Sequence, residues 1–246
     1  MPSASAGRRC TGLNTRACGV TCLILLAGPA ALAGPADKVY LPIVEQGETE
    51  LELRGGSAQL DAGGHLRALV FDIGYGVTSR WFTELAVEYE DGPFGSGEFE
   101  ALEWENVFQL TEQGQYWIDV GLFAKYEHKL ESGAVDAIVI GPMFQKDAGR
   151  AQLNLNLLLE RQVGAGADSK LELAYTTQAK WRDRPELEFG LQAFGAADSH
   201  SLGPALFSNR RLASGNKLKF DAALLFGVSD NAADVTLRFQ IEYEMY

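Results

Sequence analysis

Residues Tyr116 to His128 read Tyr-Trp-Ile-Asp-Val-Gly-Leu-Phe-Ala-Lys-Tyr-Glu-His. Taken alternately they separate into two sets. Tyr116, Ile118, Val120, Leu122, Ala124 and Tyr126 form an apolar set with a tyrosine at each end. Trp117, Asp119, Gly121, Phe123, Lys125 and Glu127 form a set that carries both signs of charge. A repeat of two is the signature of a strand, whose successive side chains point to opposite faces. The two tyrosines are roughly 33 Å apart at ~3.3 Å per residue. A tilt of ~40° reduces the vertical span to about 25 Å, the height of the apolar band of an outer-membrane barrel between its aromatic girdles. The stretch therefore predicts a strand with its aliphatic face toward lipid and its charged face toward a lumen.

The same alternation recurs along the chain. Predicted strands run over Gly47–Arg54, Leu66–Val77, Trp81–Glu90, Phe99–Leu110, Val135–Phe144, Ala151–Gln162, Lys170–Trp181, Glu186–Phe194, Ser201–Ser208, Asn216–Val228 and Ala233–Tyr246. With the Tyr116 strand the total is about twelve, an even number as bacterial single-chain barrels have. Val135–Phe144 and Ser201–Ser208 alternate least well, and Asn106 interrupts the outer face of its strand. The expected fold class is all-β: a single antiparallel up-and-down transmembrane β-barrel over residues 47–246. Short turns are expected at Thr78–Arg80, Thr111–Gln115, Gln145–Arg150 and Arg182–Pro185. Longer links are expected at Gly55–His65, Asp91–Glu98, Val163–Ser169 and Gly195–His200.

The 246 residues are 46% hydrophobic, an ordinary share, because only alternate strand residues of a barrel need be apolar. The start of the chain reads as an export signal over residues 1–33. Arg8, Arg9 and Arg16 precede an apolar stretch from Gly19 to Leu32, and Ala31-Leu32-Ala33 supplies a small-residue cleavage pattern before Gly34. All three cysteines, Cys10, Cys18 and Cys22, fall within it, so the mature chain is expected to hold neither disulfide nor thiolate chemistry. Its loss leaves 18 basic against 33 acidic residues, a net charge of -15. So acidic a chain argues against nucleic acid as a partner and permits a cation-preferring interior. Residues 34–46 are irregular, with Pro35, Pro42 and the cluster Val39-Tyr40-Leu41-Pro42-Ile43-Val44. They are read as a mature N-terminal tail, with a segment tucked into the barrel mouth as the alternative.

Ile140-Gly141-Pro142-Met143-Phe144 recurs as Leu202-Gly203-Pro204-Ala205-Leu206-Phe207. Proline cannot donate to a ladder, so each Gly-Pro marks a bulge or kink, and the pair reads as a duplicated hairpin. The chain ends in Phe239-Gln-Ile241-Glu-Tyr243-Glu-Met245-Tyr246, similar to the terminal strand signal read by barrel-assembly machinery. Its apolar set falls one residue out of step with Tyr246. Gly74-Tyr75-Gly76-Val77-Thr78-Ser79-Arg80-Trp81, leading to Val87-Glu88-Tyr89, resembles a hairpin of small proteobacterial barrels. Among these is the family named after the meta-pathway of phenol degradation, and the Gly-Pro strands are similar to that group. The resemblance implies a twelve-stranded, transport-associated outer-membrane barrel without catalytic residues.

Little in the chain reads as reaction chemistry. His65, His128 and His200 are far apart, whereas metal sites need clustered ligands. Ser199-His200-Ser201 is the only serine–histidine adjacency, and neighbours on a strand point to opposite faces. The acidic pairs Glu50/Glu52, Glu103/Glu105, Glu186/Glu188 and Glu242/Glu244 share faces with lysines, which reads as an ion-pair network rather than an acid–base dyad. No catalytic, cofactor or metal residues are assigned. The lumen-facing candidates are Glu103, Glu105, Asp119, Lys125, Glu172, Lys180, Glu188, Lys219, Asp221, Arg238 and Glu242. The expectation is a monomeric, non-enzymatic barrel in the cell outer membrane, a passive channel or transport-associated barrel for small solutes. Its expected partners are lipid, the assembly machinery and an unidentified solute. A lipid-modifying hydrolase and a structural barrel with a filled lumen are the alternatives.

Overall fold

The computed structural model describes residues 34–60, 63–92, 97–168 and 170–246. The export signal read over residues 1–33, with its three cysteines, lies outside the described residues. The twelve strands are β1 (Thr49–Leu60), β2 (Gly64–Thr78), β3 (Trp81–Asp91), β4 (Glu98–Gln109), β5 (Asp119–Lys129), β6 (Asp136–Ala148), β7 (Ala151–Val163), β8 (Leu171–Arg184), β9 (Leu187–Ala196), β10 (Ser199–Arg211), β11 (Lys217–Gly227) and β12 (Val235–Met245). Each pairs antiparallel with its sequence neighbours, and β1 pairs with β12, from Thr49 opposite Met245 to Gln59 opposite Val235. The sheet is thus a closed barrel, and closure leaves no unpaired edge. We call the end where Thr49 meets Met245 the terminal rim, and the opposite end the far rim.

The exterior of the barrel is apolar. Phe71, Ile73 and Tyr75 on β2, Leu85 on β3, Trp104 on β4 and Leu171 and Leu173 on β8 are each at least half exposed. Their alternates are buried: Val70 and Asp72, Glu84, Glu103 and Glu105. The pattern is inverted relative to a water-soluble protein, in which charged side chains are rarely fully buried and large exposed apolar patches are rare. Asn106 is buried on the outer face, where its side chain accepts from the Trp81 indole nitrogen at 3.0 Å. The polar residue that interrupts the stripe therefore satisfies a tryptophan of the terminal rim.

Several strand bounds differ from the sequence reading. β5 begins at Asp119, so Tyr116, Trp117 and Ile118 belong to the link from β4. Trp117 is 76% exposed rather than inward, with the Lys146 ammonium 5.0 Å from its ring centre. β1 runs on through Gly55 and Gly56 to Leu60, which shrinks the long link expected at Gly55–His65 to residues 61–63. The expected link at Gly195–His200 is a tight turn at Ala197-Asp198. The expected alternation of short and long links does not hold, because the link at 110–118 belongs to the terminal rim. Glu186 is an exposed turn residue and does not share a wall face with Glu188.

The weakly alternating stretches are regular strands, β6 and β10. At the repeated Gly-Pro the ladder keeps its register but lacks two pairs. On β6, Ile140 opposes Leu159 and the next pair is Met143 with Asn156. On β10, Leu202 opposes Phe226 and the next is Ala205 with Ala223. A Cβ on Gly141 or Gly203 would strike the carbonyl oxygen of Leu157 or Leu224 respectively. The two sites are therefore equivalent: glycine lets the neighbouring backbone press in beside a proline that cannot donate.

Ala197 is the only non-glycine residue with positive φ among the described residues, at 49°. Left-handed backbone costs an alanine roughly 1 kcal/mol. Ala197→Gly is expected to stabilise the barrel by about 0.5–1 kcal/mol, read as a raised urea midpoint for folding into lipid vesicles. An unchanged or lower midpoint would show the turn to be unstrained.

Candidate functional site

The candidate site is the lumen, and the segment 34–48 runs through half of it. Pro35 lies at the level of Gly56, well along β1 from the terminal rim. Lys38, Tyr40, Pro42 and Val44 descend from there toward the terminal rim. At Gly47 (φ 83°) the chain turns back into β1, pinned by Gly47 N donating to Gly76 O and Gly76 N donating to Glu48 O, both 2.8 Å. The segment read as a mature N-terminal tail therefore lies within the lumen as a plug, deeper than the barrel mouth named in the alternative reading. Inward glycines make room for it. A Cβ on Gly56 would meet Pro35 O at 2.5 Å, one on Gly121 would meet Pro42 Cβ at 2.8 Å, and one on Gly76 would overlap Glu45 O. Glycine inside a strand often marks such a close backbone approach.

Charge fixes the plug in place. The Lys38 ammonium donates to Glu52 at 3.3 Å and to Glu84 at 3.1 Å, and lies 3.6 Å from Asp72 and 3.7 Å from Glu105. Arg54 on β1 donates to Ala36 O at 3.0 Å and to Glu52 at 2.9 Å. It also pairs with Asp72, and with Glu103 at 3.3 Å. Lys125 bridges Glu103 at 2.5 Å and Glu127 at 2.8 Å. The carboxylates on β1 to β4 outnumber the cations their own strands supply. A buried carboxylate without a counter-charge is expensive, so the wall requires the plug's lysine. Burial alone pulls the Lys38 pKa down, but Glu52 and Glu84 outweigh it and hold it well above the ordinary lysine range.

Tyr40 is held on three sides. Its ring lies against Phe123, with centres 3.9 Å apart. Its backbone N–H donates to Asn156 Oδ1 at 2.8 Å, and its carbonyl accepts from Asn156 Nδ2 at 2.9 Å. One amide side chain on β7 thus satisfies both backbone groups of the plug residue. The hydroxyl donates to Glu105 at 3.0 Å; burial first, and then the Glu105 charge, raise its pKa well above that of an ordinary tyrosine. Further down, Val44 N donates to Gln109 Oε1 at 2.8 Å.

The rest of the wall is a relay of amides. Arg238 donates to Gln192 at 2.5 Å, Gln192 to Gln178 at 3.4 Å, Gln178 to Asn154 at 3.1 Å and Asn154 to Gln145 at 3.0 Å. Arg238 reaches across the small residues Ala223 and Ala205, its guanidinium 4.9 Å from the Phe194 ring centre. Beside the plug remains a cavity of about 490 Å³, lined by Glu50, Glu84, Lys180, Phe207, Lys219 and Glu242 among others, and reaching the terminal rim at Pro185, Asn209 and Lys217. Toward the far rim, Phe194, Ala205, Ala223 and Leu225 pack with Val39 of the plug.

The candidate residues therefore fall into separate groups. Glu103, Glu105 and Lys125 belong to the plug network. Lys219 and Glu242 pair at 2.5 Å at the cavity, beside Glu244. Asp221 pairs with Arg238 at 3.3 Å. Lys180 lies 4.8 Å from the Phe207 ring centre. Glu172 and Glu188 lie on the same inward face of β8 and β9. Asp119 holds the β4–β5 link by accepting from Gly114 N at 2.7 Å, so it is a turn anchor. Lys38, Tyr40, Arg54, Glu52, Asp72 and Glu84 were not among the candidates. The imbalance of wall acids over wall cations was the signal that could have found them.

Two carboxylate groups, Glu48/Glu50/Glu242/Glu244 and Glu50/Glu52/Glu84, each have oxygens within 4.8 Å of one another. Lysine ammoniums already occupy both: Lys217 and Lys219 the first, Lys38 the second. His128 pairs with Asp136 at 2.9 Å, and the His200 ring stacks on Tyr175 with centres 5.8 Å apart. The His200 backbone N–H donates to Ser229 Oγ at 2.8 Å, and its ring Nδ1 lies 3.4 Å from the Tyr175 hydroxyl.

The chain matches no protein-family model and no curated protein sequence. It is similar in structure to an outer-membrane channel of Pseudomonas putida F1, with a TM-score of 0.57 and 12% identity over 85% of this chain and 97% of that one. The β domain of the Bordetella autotransporter BrkA gives 0.55 and 11%, over 81% and 99%. The NanC porin gives 0.53 and 10%, over 80% and 99%. At these identities the likeness is one of fold.

Lys38→Met removes the counter-charge and is expected to cost about 3–5 kcal/mol, the penalty for breaking a buried pair. It should lower the urea midpoint and speed hydrogen exchange in residues 34–48; an unchanged midpoint would mean that the lysine does not hold the plug. The sign of the pH effect follows from the raised lysine pKa. Its contribution is complete below the unfolded value of about 10.4 and is lost only as pH climbs through the folded value. The near-UV circular dichroism signal that Tyr40→Phe removes should therefore stay constant from about pH 7 to about pH 8.5, below the range in which ordinary tyrosines ionise.

Proposed function

We propose that the protein is an outer-membrane barrel that passes small solutes passively, with residues 34–48 as a resident plug that narrows the lumen. The observation that carries this reading is the apolar exterior around an interior cavity of about 490 Å³ lined by charges and amides. An apolar belt of this kind suits hydrocarbon tails. A polar cavity beside the plug suits a restricted water-filled path better than a packed core. An outer-membrane channel, a porin and the β domain of an autotransporter support the location through shared fold. Kinship with the phenol meta-pathway family is part of the same proposal, carried by the hairpin from Gly74 to Trp81 and by the Gly-Pro strands.

The terminal rim faces the periplasm in this reading, and the cavity opens there. The β12 strand is offered to barrel-assembly machinery during insertion. Tyr246 lies beyond that strand, with its hydroxyl bonded to Lys217 and donating to Glu244 at 3.0 Å. The apolar set that ends on Met245 is then the recognised one. A non-enzymatic role fits the histidine surroundings, since His200 faces a tyrosine and a backbone-bound serine rather than an activated hydroxyl. One observation favours the second reading, a structural barrel with a filled lumen: the packing of Phe194, Leu225 and Val39 across the far side of the cavity.

Planar bilayers separate the two. The intact protein is expected to give small single-channel conductance, and deletion of residues 34–46 to raise it several-fold. The opened lumen should prefer cations, because Glu50, Glu52, Glu84 and Glu242 are then exposed to the path. Gly121→Leu, which drives a side chain into Pro42, should open the barrel in the same direction. Absence of conductance in both the intact and the shortened protein would favour the structural barrel.

A further inference from the structure

We infer that Asp37 is an internal receptor for a free α-amino group: removal of the leader after Ala33 leaves an ammonium on Gly34 that ion-pairs with the Asp37 carboxylate inside the lumen and locks the upper end of the plug. The inference rests on the plug reading above and on the cleavage position read from Ala31-Leu32-Ala33. Hydrolysis of the Ala33–Gly34 bond adds one water, leaving the carboxyl on Ala33 and the protonated amine on Gly34.

The geometry is already that of a receptor. Gly34 N donates to Asp37 Oδ2 at 2.9 Å, and Asp37 N donates back to Gly34 O at 3.2 Å. A Cβ on Gly34 would meet only atoms of the Asp37 carboxylate, Oδ1 at 3.3 Å. The Asp37 carboxylate thus lies directly against residue 34. Lys38, the next residue, has Glu52, Asp72, Glu84 and Glu105 as partners. Asp37 has no lysine or arginine at ion-pair distance among the described residues.

The surroundings leave that carboxylate short of positive charge. The charged groups that act on it from the wall are Lys125 on β5, Arg238 on β12 and Arg54 on β1, with Glu160 on β7 opposing them. Lys125 and Arg54 are bound to carboxylates of their own, and Arg238 to Asp221. Burial pushes the Asp37 carboxyl up to about 6 while residue 34 offers only a peptide N–H. An α-ammonium in the same place supplies a full charge and a charge-assisted bond, which is shorter and stronger than a neutral one. An ordinary α-amine titrates near 7.7–8.0 and is charged at neutral pH. Pairing moves the two groups apart, the amine upward and the carboxyl downward. The lock is then strongest between those two values and weakens both in acid and in strong base.

The test uses the protein purified from membranes. Intact mass should correspond to a chain that starts at Gly34. The rate of α-amine acylation by acetic anhydride is then followed from pH 6 to pH 10 in the folded barrel. The expected result is an apparent amine pKa at least one unit above the ordinary range, with about ten-fold slower labelling at pH 8. Asp37→Asn should return both to ordinary values. Should that variant fail to fold, the mature wild-type chain acetylated at Gly34 and refolded into vesicles serves instead; it should exchange the amides of residues 34–40 at least ten-fold faster than the free-amine chain. A mature chain that starts elsewhere overturns the inference, as does an ordinary amine pKa in the folded protein or equal exchange with and without the acetyl group. None of these results depends on whether the barrel conducts, so failure here is distinct from failure of the channel reading.

Discussion

Closing an antiparallel sheet on itself decides where its second face goes. Once β1 pairs with β12, one set of alternate side chains lies outside the cylinder and the other lies within it. The outer set here is aliphatic and aromatic, so the charged set has no solvent but the lumen. Acids exceed bases within, and charges confined in a narrow interior must be paired. The plug answers that constraint. Lys38 supplies the cation that β1 to β4 lack, and the inward glycines Gly56, Gly76 and Gly121 give its backbone space. On the remaining arc the amide relay from Arg238 to Gln145 runs alongside the pairs Arg238–Asp221 and Lys219–Glu242, with the cavity beside it.

Most of the wall was legible in the sequence because alternation is a local signal. Leu153, Leu155 and Leu159 against Asn154 and Asn156 can be read only one way once the period is two, and the structure buries the asparagines while exposing the leucines. The ends of strands were less legible. Gly55 and Gly56 carry the composition of a loop, yet they belong to β1, and the Gly56 glycine serves the approach of Pro35. Ala197-Asp198 lacks the Asn-Gly or Asp-Gly signature of a two-residue hairpin, so the turn was read as a longer link. Trp117 fits the alternation and nonetheless sits in a link, because Asp119 ties the chain back to Gly114 before the strand starts.

The site was less legible than the wall. Residues 34–48 have no period, since a strap inside a barrel makes a different contact at each residue: a salt bridge at Lys38, a ring contact at Tyr40, an amide clasp at Tyr40 and Asn156, and a glycine cradle at Pro42. Nothing local distinguishes such a strap from a tail. What distinguishes it is a sum over the whole wall, the surplus of inward acids, together with glycines on the inner face where a strand gains nothing from them. Alternation puts the inward candidates on one face, but sequence could not say that Asp119 closes a turn while Glu103 and Glu105 hold the plug. Those differences arise from partners that lie many residues apart.

The account stands on which medium touches the apolar outer stripe. Separating the cell envelope into outer-membrane and soluble periplasmic fractions, and running each with and without heating in detergent, addresses that directly. The account predicts the protein in the outer-membrane fraction, as a compact band that migrates more slowly, or otherwise shifts, only after boiling. Recovery in the soluble periplasmic extract, with one mobility before and after heating, would contradict it.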